Sequence, residues 1–346
     1  MNSSKPAPGT KNSIWISALT AAAYAWLLDA FHWCVSPSTS AVTGAQSSTL
    51  ATVCAALLIV AALGIPFLNL VIAGSSKFDS QLGNADIRAR RFALLAVTSP
   101  TAYVFFGVVS YMAGSKVPDP WIWTPVWLLL GFLASRKCGV APLKKSVASA
   151  RVRVAHGISG ALVTFYVMFH VFNHLCGLIS PEAHAAVMEA GRTVYRYKLI
   201  EPLLVVAMLF QAVSGLRLLW QWTATSPDRY RMVQIASGAF LAVFILGHMN
   251  SVFIYARLWM NIPTDWAFAT GLPTGLIHDP WNIRLAPHYA LGVFFVLAHL
   301  VSGLRVVLLA HDVQPTIANR LWQCGVLLSA AISAAIIFGM CGIRVV

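Results

Sequence analysis

Ten histidines are spread along a chain of 346 residues in which 58% of the side chains are hydrophobic and 10% are charged. An ionisable group in so apolar a setting is costly unless paired, so the intervals between histidines are where chemistry shows first. His170 and His248 follow Ser159-Gly160-Ala161 and Ser237-Gly238-Ala239 by one common interval, and each lies 17 residues beyond an arginine, Arg153 and Arg231. At 1.5 Å per residue both imidazoles fall about 25 Å along helices of the same sense. Two neutral imidazoles at one depth, with apolar walls around them, suit axial ligation of a haem iron. The bland alternative gives each ring a backbone carbonyl or a hydroxyl on a neighbouring helix. Equal depth in a repeated setting favours His170 and His248 as ligands of the haem iron.

His299 occupies a second repeated setting. His299-Leu-Val-Ser-Gly-Leu-Arg305 matches Gln211-Ala-Val-Ser-Gly-Leu-Arg217 at every offset, so an amide stands where a second imidazole would be needed. Two readings stay open: a His299–Gln211 hydrogen bond, or a second haem held by His299 and another histidine. His156 is the nearest candidate, although it lies only about 5 Å in from Arg153, shallow for meeting His299. Arg217 and Arg305 stand within reach of haem propionates or lipid phosphates. His174, one turn beyond His170, and His288, at the mouth of its helix, offer hydrogen bonds to propionates or a quinone. Arg153, His156 and Ser159 form a polar cluster that suits a quinone carbonyl. Each has an interfacial alternative, since long basic side chains snorkel at no special cost. A di-iron reading of His170-x-x-x-His174 fails for want of paired adjacent histidines, and no phosphate-binding or dinucleotide motif is present.

These residues need helices to hold them. Mean hydropathy is +0.72, and runs of about 20 apolar residues recur throughout, each long enough for a hydrocarbon core of about 30 Å. The chain reads as an all-α polytopic membrane protein with about nine spans: 14–35, 50–73, 92–113, 120–135, 154–178, 199–222, 232–257, 286–311 and 318–341. The fourth is short and rich in Trp and Pro. The polar first 13 residues lack a secretory-signal layout, so the first span is expected to stay as an anchor.

Nine alternating spans put 17 of the 24 Lys and Arg residues on one face, among them Arg88, Arg90, Arg91, Lys144, Lys145, Arg151, Arg153 and Arg231. By the positive-inside rule that face and the N-terminus are cytoplasmic or matrix, with the C-terminus outside. The net charge of +13 then suits anionic head groups and implies no nucleic-acid partner. Six cysteines show no metal-binding spacing; a Cys34–Cys176 disulfide is conceivable, and free packed thiols are favoured. The basic stretch 136–153 divides a four-helix membrane module, 1–135, from a five-helix domain, 154–346. Within the latter the two motif pairs describe a parallel two-helix repeat, and Gly160, Gly215, Gly238 and Gly303 leave room for a neighbouring helix or a flat macrocycle.

His156-Gly-Ile-Ser159-Gly160 resembles the His-Arg-x-Ser-Gly segment of the cytochrome b membrane-anchor subunits of succinate dehydrogenase and fumarate reductase, the complex II superfamily. Leu209-Phe-Gln-Ala-Val-Ser-Gly-Leu-Arg217 and Ala298-His-Leu-Val-Ser-Gly-Leu-Arg305 are similar to that family's His-x-x-x-Gly-[Leu/Ile]-Arg helix. The resemblance covers about residues 151–341 and implies a cytochrome b-like bundle. It implies an outer haem between the first and third helices, at His170 and His248, and an inner haem between the second and fourth, at Gln211 and His299. Gln211 departs from the pattern, as does the absence of an arginine after His156. It further implies haem b, one copy or two, a membrane quinone, and flavoprotein and iron–sulfur partners on the cytoplasmic or matrix face of a bacterial or mitochondrial inner membrane.

The sequence therefore points to a haem b-binding anchor subunit that carries electrons between an iron–sulfur protein and quinone. It has no flavin or iron–sulfur motif with which to oxidise succinate by itself. The rivals are a haem-free structural subunit, which Gln211 favours, and a transporter, which few buried carboxylates beyond Asp29 and Glu201 disfavour.

Overall fold

The computed structural model describes residues 8–75, 84–136, 150–225 and 227–345, with only the backbone described at 8–10 and 37–48. Among the described residues the chain is helical throughout, with no strand. Most of the 136–153 stretch lies outside the described residues.

Seven helices are long and apolar enough to cross a membrane, and a bent pair raises the number to eight. They are α1 (Pro8–Val35), α2 (Pro37–Ser75), α6 (Ala150–Cys176), α8 (Ile200–Trp222), α9 (Arg229–Met249, continuing to Met260), α12 (Leu285–Ala310) and α13 (Pro315–Met340). The bent pair is α3 (Asn84–Val97) and α4 (Ser99–Met112), where the sequence suggests one span at 92–113. The axis turns by 62° at Thr98. Pro100 lies just beyond; its ring disfavours helix at the preceding residue and it has no N–H to give the turn before. α5 (Asp119–Ser135) has 17 residues and is about 25 Å long, shorter than the hydrocarbon core.

Other elements lie between the long helices and carried no hydropathy signal. They are α7 (Pro181–Tyr195), two short helices, α10 (Trp266–Thr270) and α11 (Gly275–His278), and a single 3-10 turn at Asn282–Arg284. Ser180 caps α7 by accepting from the Ala183 N–H, and Asp265 caps α10 from Phe268. Beyond His248, α9 widens into π-helical geometry over Asn250–Met260 and stops at Asn261 in the left-handed region.

Helices α1, α3 and α5 pack around Tyr24, Phe92, Tyr103, Trp123 and Trp127. A second cluster joins Ala93, Leu94 and Val97 of α3 to Ile235, Phe240, Leu291 and Phe295 of α9 and α12, so α3 shares a core with these two helices. Arg90, 1% exposed, donates to the carbonyls of Ala73, Thr223 and Thr225. Arg91 donates to Thr223 Oγ1 and the Trp220 carbonyl and lies 3.3 Å above the Trp220 ring. Two cations thus cap the last carbonyls of α8, whose partners a helix end cannot supply itself. At the opposite face the buried pair Arg284–Asp119, 2.6 Å apart, joins the start of α12 to α5.

Candidate functional site

A cavity of about 390 Å³ runs along the inside of α6, α8, α9 and α12, with α7 over one end. That volume is in the range of small-molecule sites. Six of its lining residues are histidines, and four of these meet in two pairs. Nearer the starts of α6 and α9, His156 and His299 have ring centres 6.5 Å apart. Fourteen residues further along α6, about 21 Å, His170 and His248 have ring centres 6.1 Å apart. A nitrogen–metal bond of about 2 Å, with about 1.1 Å from nitrogen to ring centre, would place two collinear imidazoles about 6.2 Å apart. Both pairs match that spacing.

The first pair is the more fully oriented. Ser214 Oγ lies 2.5 Å from the Phe210 carbonyl and 2.7 Å from His156 Nδ1. Ser237 Oγ lies 3.1 Å from the Gln234 carbonyl and 3.0 Å from His299 Nδ1. A hydroxyl has one proton, and a carbonyl can only accept it, so Ser214 accepts from the His156 Nδ1–H, while the His299 Nδ1–H faces both Ser237 Oγ and the Gln234 carbonyl, either of which can accept it. That leaves each Nε2 with a free lone pair, the state a metal ligand needs. Gly215 and Gly238 make room beside the rings: a Cβ on Gly238 would lie 3.2 Å from His299 Cε1, and one on Gly215 would lie 3.5 Å from His156 Cε1.

Gln211 also lines the cavity, and its amide donates to the His156 carbonyl at 2.9 Å. Of the two readings the sequence leaves open for His299, a hydrogen bond to Gln211 or a pairing with His156, it is His156 that lies beside the His299 ring. His156 is not too shallow, because α6 starts at Ala150 and crosses the bundle so that this ring faces α12.

The second pair is embedded in aromatic and imidazole rings. Tyr166 stacks on His170 at 5.6 Å, and Phe244 stacks on His248 at 5.6 Å with only 5° between the planes. His174 sits edge-on to His170 at 4.7 Å and 5.2 Å from His184 of α7. His184 accepts from the Asn173 amide at 3.1 Å, and burial, assisted by Arg192, pushes its pKa down to about 4. Three guanidinium groups, Arg192, Arg196 and Arg257, line this end together with Glu201, which pairs with Arg257 at 2.7 Å.

The remaining residues that the sequence singles out are spread around this cavity. His174 lines it. His288 is 2% exposed and lies tilted against Phe244, with ring centres 4.6 Å apart, outside the cavity lining. Arg153 and Arg217 are exposed, and Ser159 is half-buried outside the lining, so the Arg153–His156–Ser159 cluster does not converge there. Arg305 donates to Asn319 Oδ1 and lies 3.8 Å over the Tyr230 ring. Residue spacing did not point to the charged groups that do face the cavity, Arg231 at the first pair and Arg192, Arg196 and Arg257 at the second. Cys34 and Cys176 are free thiols.

One signal for the first pair was present in the sequence. The 78-residue offset that relates His170 to His248 also relates His156 to Gln234, while Gln211 answers to His299. Each repeat unit therefore has one histidine and one glutamine at this level, on opposite members of its helix pair. Among the described residues no three His, Cys, Asp or Glu side chains gather as for a bare metal ion, whereas a macrocycle supplies its own equatorial ligands. Comparison with protein-family models, with curated proteins and with solved structures finds no match to this chain.

Proposed function

We propose that the chain is a haem b-binding, multi-pass membrane subunit of an electron-transfer complex, with two bis-histidine sites at His170/His248 and His156/His299. The observation that supports this most is the cavity with two imidazole pairs at 6.1 and 6.5 Å. The residues fit the group: apolar walls, glycines beside the rings, two fixed Nε2 lone pairs, and arginines at both ends for carboxylates. When bound, haem would supply reversible one-electron chemistry, and the protein would supply orientation, burial and counter-charge. His170 and His248 would hold the iron of one haem, His156 and His299 that of the other. Arg231 would stand by the propionates at one end, with Arg196 and Arg257 at the other.

The wider reading rests on the complex II resemblance. In it α5 counts as a ninth crossing, the five helices from α6 onward (α7 apart) form the cytochrome b-like bundle, and the arginine-rich face is cytoplasmic or matrix. An iron–sulfur protein and its flavoprotein would dock on that face, with membrane quinone exchanging the electrons. The test is a dithionite-reduced minus oxidised spectrum with haem quantitation on the purified, detergent-solubilised chain. Two haem b per chain are expected; one would remove the His156/His299 site, and none would leave a structural subunit whose histidines serve packing alone.

A further inference from the structure

We infer that Ser214 and Ser237 are positioning residues that set the electronic state and ring planes of the His156/His299 site, and do so at that site alone. The inference rests on the haem reading above and adds a difference between its two sites. Each serine is locked from behind by donating to a carbonyl of its own helix, Phe210 or Gln234, so its lone pair is directed at an Nδ1–H. The two contacts are short, 2.7 and 3.0 Å, and come from α8 and α9, which do not carry the rings. Each ring is thereby tied on its Nδ1 edge, with its centre 6.5 Å from that of its partner.

Two consequences follow. An imidazole that donates its second N–H becomes a more basic ligand, which favours the oxidised over the reduced metal. His170 and His248 have no such hydrogen bond among the described residues; stacking on Tyr166 and Phe244 orients them instead. The ligand contribution therefore lowers the midpoint of the His156/His299 site relative to the other. The ties also hold the two ring planes 82° apart, and near-perpendicular imidazoles give a ferric low-spin resonance with one unusually large g value.

The test compares Ser214→Val and Ser237→Val with Ser214→Thr and Ser237→Thr in the full chain. Val and Thr share a shape and differ by the hydroxyl, so a packing disturbance common to both is cancelled. Potentiometric titration of the haem bands should show one component rising in each Val variant. A tenfold change in its reduced-to-oxidised ratio is expected, about 59 mV for one electron. The other component should stay in place, and the large-g resonance should change in Val but not in Thr. Components that move together, or a Val variant that titrates as Thr does, would overturn the inference while leaving the haem reading intact. No haem in the unsubstituted chain would overturn both.

Discussion

Substituting the four cavity histidines one at a time, and then in pairs, tests the two-site geometry as a set of double-mutant cycles. The sites lie about 21 Å apart along α6, beyond the roughly 7–10 Å over which substitutions usually couple. Within a site the ring centres are 6.1 or 6.5 Å apart, and on the proposed function both rings would serve one metal, so the second loss should cost nothing further. His→Leu at any of positions 156, 170, 248 or 299 should therefore lower the content from two haems per chain to one. His156→Leu with His299→Leu should keep that one, and His170→Leu with His299→Leu should keep none. The assay is haem quantitation against protein on detergent-purified chains, with a redox titration to show which component survives. The pairing is refuted if His156→Leu and His299→Leu remove different components.

Four other outcomes follow from the same packing. Exchanging His156→Gln with Gln211→His, which returns the ligand to α8 opposite His299, should restore the second haem that His156→Gln alone removes; haem quantitation reads both. Arg284→Met should lower stability by about 3–5 kcal/mol by stranding buried Asp119, and adding Asp119→Leu should recover most of it, as read by thermal unfolding in detergent. Arg90→Met removes three hydrogen bonds from one buried cation and should cost about 3 kcal/mol or more, with proteolysis near 223–228 as a local readout. His184, with a folded pKa near 4 against an ordinary 6.5, binds fewer protons folded than unfolded, so stability should fall as pH drops from about 6.5 towards 4 and level off below. His184→Gln should flatten that part of the pH profile.

The membrane class and most helices were legible because lipid demands length and apolarity, and both can be counted along a chain. The paired depth of His170 and His248 was legible because two helices of one sense start at comparable arginines. The bend at Thr98 was not, since a proline near a hydropathy maximum leaves the mean unchanged while turning the axis. α7 was invisible for another reason: it packs by one face, with His184 and Met188 buried and Glu182 and Glu189 towards water, so its mean hydropathy stays low. The serines escaped because Ser-Gly reads as small-residue packing. Only the helix crossing shows that Ser214 and Ser237 back the rings of His156 and His299.

On the proposed haem reading, the crossed arrangement makes a glutamine at 211 compatible with a complete ligand pair. A bis-histidine site needs one imidazole from each side of the cavity, and it does not matter which helix of a unit supplies it, provided depth and direction agree. The first unit uses α6 and leaves α8 with Gln211, which donates to the backbone beside the ligand it would otherwise have been. The second unit uses α12 and leaves α9 with Gln234, whose backbone carbonyl lies against both Ser237 and His299 while its side chain accepts from Arg231. Gln211 thus braces the backbone of its own unit's histidine through its side chain, and at 234 the main chain alone meets the ring. On the proposed two-haem reading the ligand position therefore alternates between neighbouring helices of the duplicated pair, α6 in the first unit and α12 in the second, at one level of the cavity.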